Sequence, residues 1–177
     1  EVLQGVAPLV TVATVLQVRT DIPADPALLN QEAQTVDAEG NPHVVISYVP
    51  GRFTQCVTDF TEDRREHGHA FHLFRDGAGE WHKTEIPEPL NAFGRSKLVL
   101  DGDDDAYVVM PGGRIMAASA ESGWTDWTKV HDGLGAFGEV LVDDDEVRDT
   151  GRFSVLYQEP STGTAPSPIH VADFRTG

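Results

Sequence analysis

A chain of 177 residues suffices for one ordinary domain, and a composition 40% hydrophobic and 8% aromatic is that of a globular protein rather than a disordered tail. With 29 acidic residues against 13 basic ones the formal net charge is -16, which argues against non-specific binding to nucleic acid or to anionic membrane surfaces. A single cysteine excludes an internal disulfide and leaves the thiol free for packing, chemistry or metal.

The chain opens on Glu1 rather than methionine, so it is expected to be processed or part of something longer. The apolar run "VAPLVTVATVLQV" is interrupted by Pro8, two threonines and a glutamine, and no basic stretch precedes it. It is too short and broken for a membrane span and lacks the layout of a signal peptide. Residues 1 to 27 are therefore expected to pack as a segment on the rest of the protein.

From residue 28 onward, short alternating stretches ("HVVISYV", "HAFHLFR", "AYVVM", "RIMAASA", "RFSVLYQ") are bounded by glycine, proline, asparagine or aspartate. They read as β-strands joined by tight turns, and no helical period is evident after residue 30. Two templates recur in the same order. "VDAEGNPHVV" (Val36 to Val45) matches "LDGDDDAYVV" (Leu100 to Val109), and "EWHKT" (Glu80 to Thr84) matches "DWTKV" (Asp126 to Val130). "SVLYQEP" and "PIHVADF" supply strands of a third unit. Repeated small antiparallel units are the signature of propeller blades, so the fold is expected to be all-β and a partial β-propeller. Its units are drawn at residues 28 to 91, 92 to 133 and 134 to 177. About three blades are fewer than a closed propeller needs, so the remaining blades of a longer chain, or self-association, are expected to cover the open edges.

Residues 50 to 68 form an insertion in the first unit, and the stretch "CVTDFTEDRREHGHAFH" that covers most of it holds the only cysteine and three of the seven histidines. Cys56, His67, His69 and His72 are a sufficient donor set for a tetrahedral zinc closed by four protein ligands, which would pin the insertion to its blade. On an extended strand His67 and His69 share a face while His72 points to the other, so His43, at the start of the preceding strand, is the reserve ligand. Catalytic zinc would use three of these and leave one position to water. The run "DGDDD" suggests calcium, but it lacks the spacing of a calcium loop and sits where the first unit has "DAEGN"; a hairpin turn is the better account and calcium is not expected. Tyr48 and Arg52, flanking a strand end in "SYVPGR", are candidate substrate-binding residues. Trp81 matches Trp127 in the repeat and is assigned to packing, and His82, His131 and His170 are taken as ordinary structural or surface histidines.

The phrases "LLNQEAQTVDAEGNPHVVISY", "FHLFRDGAGEWHKTEIP", "DGDDDAYVV", "AASAESGWTDW" and "SVLYQEP", in that order, resemble the BNR-repeat propellers that include ulvan lyases of polysaccharide lyase families 24 and 25 and related rhamnosidases. The resemblance implies a seven-bladed propeller of which this chain matches the later blades. It further implies a secreted or periplasmic enzyme that cleaves a uronate-containing, ulvan-like polysaccharide by β-elimination, with a zinc on Cys and His ligands in the region of Cys56 to His72. Such chemistry needs a cation for the uronate carboxylate, a base for the C5 proton and an acid for the leaving oxygen. The resemblance puts the catalytic His, Tyr and Arg cluster mainly upstream of the "NQ" phrase, so the catalytic residues stay unassigned. A rhamnosidase-like glycoside hydrolase and a non-catalytic carbohydrate-binding propeller are the alternatives, and the charge of -16 fits a neutral glycan better than a sulfated one.

Overall fold

A computed structural model describes residues 28–51, 57–92 and 94–177. Arg52, Cys56 and the segment 1–27 lie outside the described residues, so the expectations that fall on them gain no structural account.

Eleven strands form among the described residues: β1 (Leu28–Val36), β2 (Pro42–Tyr48), β3 (His69–Arg75), β4 (Trp81–Pro89), β5 (Lys97–Leu100), β6 (Ala106–Val109), β7 (Ile115–Ala118), β8 (Thr128–His131), β9 (Leu141–Asp143), β10 (Arg152–Gln158) and β11 (Ile169–Arg175). They make three antiparallel sheets in sequence order, β1-β2-β3-β4, then β5-β6-β7-β8, then β9-β10-β11. Alternation explains why the strands bury as they do: in β2 His43, Val45 and Ser47 are buried while Pro42, Val44 and Ile46 are half-buried.

The hairpins at one end share a device. Asp37, Asp76 and Asp101 each accept on Oδ1 from the backbone N–H two and four residues ahead, at 2.7–3.1 Å. In each turn the residue three after the aspartate has positive φ: Gly40 at 84°, Gly79 at 89° and Asp104 at 61°. Glycine adopts that region freely and aspartate tolerates it at a cost. Asp104 has another use for its side chain, because its carboxylate accepts from Ala38 N in the first sheet (3.0 and 3.1 Å) and from Arg148 Nη1 in the turn before β10 (3.0 Å). Arg148 also donates to the carbonyl of Val36, so three hairpins meet at one side chain.

The sheets stack through two apolar cores. Val45, Ala70, Ile86 and Leu90 of the first interlock with Leu98, Val108, Met116 and Trp127 of the second. Val99, Val109 and Ile115, on the second sheet's other face, interlock with Phe153 and Val155 of the third. The first strand of the second sheet, β5, packs against β1 and β2, which puts the leading strands at the inner side of the stack.

Among the described residues, two α-helices correct the expectation of an all-strand chain after residue 30: α1 (Phe60–His67) and a single turn, α2 (Val147–Thr150). Apolar periodicity could not reveal α1, because it buries no residue. It is favoured instead by Glu62 and Asp63 in its first turn and Arg64, Arg65 and His67 in its last, each complementing the helix dipole. His67 thus ends a helix and does not continue the strand that begins at His69.

Candidate functional site

Antiparallel order puts the connections between β2 and β3, β4 and β5, β6 and β7, and β8 and β9 at the end of the sheets opposite the aspartate turns. On this end, at the inner side, four charged residues from three connected elements converge. Glu32 of β1 is 6% exposed; its Oε1 accepts from Ser47 Oγ at 2.5 Å and its Oε2 from the backbone N–H of Ser96, just before β5. Glu139, in the connection to β9, accepts from Lys97 Nζ at 2.6 Å and from the Arg95 backbone N–H at 3.3 Å, with the Arg95 guanidinium 3.7 Å away. The approach of that connection depends on Gly94, where a Cβ would stand 2.8 Å from Glu139 N.

The two carboxyls are driven apart in acidity. Burial holds the Glu32 carboxyl above the usual carboxylate range against its serine hydrogen bonds, and the negative Glu139 pushes the same way. The hydrogen bond from Lys97 holds Glu139 below that range, with further help from Arg95. A reluctant acid, a ready carboxylate and two cations are the groups that acid–base work on a glycan uses. None of the four was singled out in the sequence; Glu32 lies in an alternating strand where only its burial between two sheets marks it.

The residues that the sequence did single out separate into two places. Tyr48 and His69 are opposite each other across β2 and β3. Tyr48 is 4% exposed and stacked on Phe71 at 4.2 Å, and its hydroxyl accepts from Lys83 Nζ at 3.1 Å, so its position is that of a packing residue that orients a lysine. His69 Nδ1 lies 2.6 Å from Glu85 Oε1, which directs Nε2 away from the carboxylate. His67, half exposed, has Glu66 3.8 Å away.

His72 faces the other side of β3, with Ala70, toward the second sheet. Its Nε2 is 3.0 Å from Nδ1 of His43, and both rings are completely buried among Phe74, Trp124 and Trp127. Asp37 Oδ2, 3.7 Å from His43 Nε2, favours the tautomer protonated there, so His72 Nε2 donates to His43 Nδ1 and His72 Nδ1 is a buried lone pair without a donor. Burial pushes His72 down to about 3, with the neighbouring His43 adding to it, and burial likewise lowers His43.

For zinc the donor set therefore fits in part. A carboxylate on the second nitrogen is the usual support of a metal-bound histidine, and His69 with Glu85 has it. His72 does not fit, since it is on the opposite face and its Nε2 is engaged by His43. Among the described residues no three of His, Cys, Asp or Glu converge as a metal site. The Asp101 carboxylate is taken up by backbone N–H groups of its own turn, as a hairpin reading requires.

Trp81 and Trp127 occupy matching places at the start of the outer strands, Trp81 packed against Tyr48, Phe71 and Leu73, and Trp127 in the core between the first two sheets. Sheets of successive meanders stacked face to face, leading strands inward, define three consecutive blades of a β-propeller. Residues 4–88 match the family described as "BNR repeat-containing family member". Among solved structures, the GH43 BlXynB protein from Bacillus licheniformis is similar at 15% identity and a TM-score of 0.45, over 84% of this chain and 28% of that one. The chain thus spans little more than a quarter of that structure. No curated protein matches it.

Proposed function

We propose that the chain belongs to a carbohydrate-active propeller that cleaves a uronate-containing polysaccharide by β-elimination. The observation that supports it is the pair of cations Arg95 and Lys97 at the inner rim beside Glu139. A guanidinium that is 53% exposed, on a protein with a net charge of -16, is a local receptor for a uronate carboxylate. Neutralising that carboxylate is what makes the C5 proton removable, and the base and acid are expected upstream in a longer chain. The order of phrases that resembles ulvan lyases points the same way, while the match of residues 4–88 supports a BNR-repeat propeller and is equally consistent with hydrolysis.

A second reading, glycoside hydrolysis, is favoured by the split acidity of Glu32 and Glu139, the arrangement a hydrolase uses for its acid and its base. One assay separates the two. Incubation with an ulvan-like polysaccharide and with a neutral rhamnose-containing glycan is followed by ultraviolet absorbance of the unsaturated uronate and by new reducing ends. Absorbance that rises with the reducing ends and falls in Arg95→Ala supports elimination; reducing ends without absorbance, abolished in Glu32→Gln, support hydrolysis. Saturable binding without either product means a non-catalytic module and overturns both.

For the metal we propose a zinc held by Cys56, His67 and His69, with His69 oriented by Glu85, without His72 and with the fourth position left to water. Its chemistry there is to tie the insertion to the end of β3. Metal analysis tests this: Cys56→Ala and His69→Ala lose the zinc, whereas His72→Leu keeps it. Full zinc content in His69→Ala refutes the assignment.

A further inference from the structure

Each blade sorts its charges by end. Tight hairpins draw on aspartate and glycine for their geometry, so acids gather where the connections are short. On the end of the aspartate turns, the connections β1–β2 and β3–β4 (residues 37–41 and 76–80) hold four acids and no base. Connections β5–β6 and β7–β8 (101–105 and 119–127) hold six acids and no base, and β9–β10 (144–151) holds four acids and Arg148. That end therefore carries fourteen acids against one base. Among the described residues, the connections at the opposite end carry seven acids against four bases, Arg64, Arg65, Arg95 and Arg114. The acid-rich end recurs in all three blades, so it is a property of the blade itself.

We propose that this separation is what admits an anionic glycan to an acidic chain: the glycan is repelled from the turn end, is received at the rim by Arg95 and Lys97, and binds there most tightly at intermediate ionic strength. This rests on the reading of Arg95 as a uronate receptor. At the rim itself the carboxyls are little obstacle, since Glu139 is engaged by Lys97 and Arg95, and Glu32 is buried on Ser47 and Ser96. The total of -16 then overstates the repulsion that a substrate meets where it binds.

Strand β5 joins the two ends and sets the length scale. Four residue steps of about 3.3 Å put Lys97 about 13 Å from the turn that begins at Asp101. Charges are screened over about 8 Å at 0.15 M salt and over about 30 Å at 0.01 M. At the higher salt a carboxylate seated at the rim lies beyond the reach of the turn acids, whereas at the lower salt they oppose it together. Its own contact with a guanidinium, at about 4 Å or less, survives 0.15 M salt and weakens only as salt rises further. Acids spread evenly over both ends would give a different result: salt would relieve repulsion throughout and binding would tighten without a maximum.

The test is calorimetric titration of the chain with a uronate trisaccharide, and with the same trisaccharide after its carboxylates are reduced to alcohols, at about 0.01, 0.15 and 0.5 M sodium chloride. The uronate form is expected to bind most tightly at about 0.15 M and at least about twofold more weakly at either extreme, while the reduced form shows no maximum. The variant Asp144→Asn/Asp145→Asn/Glu146→Gln, altered at three exposed positions of the turn end, is expected to bind the uronate form about twofold more tightly than the parent at about 0.01 M and equally at about 0.15 M. Uronate binding that tightens continuously up to about 0.5 M, or weakens continuously from about 0.01 M, overturns the proposal. If Arg95→Gln still weakens that binding, the uronate receptor stands without the salt dependence. No uronate binding at any salt concentration overturns both.

Discussion

Acid should open the first seam through the buried histidine pair. Both rings are neutral in the fold, with His72 pushed down to about 3 and His43 also lowered, while an unfolded histidine titrates at 6.5. Above 6.5 neither state binds the proton and the pair has no pH dependence. As pH falls below 6.5 the unfolded chain takes up protons that the fold refuses, so stability declines. From pH 6.5, where an unfolded histidine is half protonated, to 4.5 His72 alone accounts for about 2.3 kcal/mol, and His43 adds in the same direction. Urea titrations across this window, on the parent and on the double variant His43→Leu/His72→Leu, measure the effect. The variant is expected to be less stable than the parent at neutral pH, since ring contacts to Phe74 and Trp124 are lost; the slope of stability against pH is what the pair controls. Parent and variant curves that run parallel between pH 6.5 and 4.5 would show that the pair is not buried neutral, and the reasoning fails.

Glu32 acts in the opposite sense. Its raised pKa in the fold means that the unfolded chain ionises first above 4.5, so its share of stability is present below 4.5 and declines as pH rises; relative to Glu32→Gln, the parent should lose stability from pH 4.5 upward, measured by the same titrations. Asp104→Gly keeps the turn and relieves the positive φ while removing the bonds to Ala38 and Arg148, so a net loss of about 1–2 kcal/mol in urea unfolding is expected, and a stabilised variant would show that the backbone strain outweighs the seam. Gly94→Ala should displace the connection that carries Glu139 and reduce turnover or glycan binding with the far-ultraviolet dichroism intact; wild-type behaviour would mean that the connection shifts without consequence.

The repeat was legible because its elements are local. An aspartate that caps its own turn two and four residues on, followed by an alternating strand, leaves the same mark at Asp37 and Asp101, and a third copy at Asp76 was passed over only because its strand reads differently. Helix α1 escaped because it buries nothing and so has no apolar period. The donor cluster from Cys56 to His72 was legible as composition but not as geometry. Sequence proximity put His72 with His69, whereas strand alternation across β3 and the pull of the second sheet gave it to His43, 29 residues away.

What no local pattern could display is the use made of the cations at the seams. Arg114 holds Glu88 Oε1 and the carbonyls of Pro89 and Leu90, all at 2.7 Å, tying the second blade to the first. Lys129 reaches Glu88 at 3.6 Å across the same seam, and Arg148 and Lys97 serve the other contacts between blades. Scarce basic residues on an acidic chain are thus drawn to where carboxylates of different blades approach each other. There they relieve the repulsion that a charge of -16 imposes on a compact stack. Arg95 departs from this pattern: its carboxylate partner is shared with Lys97 and its guanidinium is the more exposed of the two cations, 53% against 22%. Of the two cations at the inner rim, Arg95 is therefore the one less needed to hold the blades together, which is why the proposed uronate contact is assigned to it rather than to Lys97.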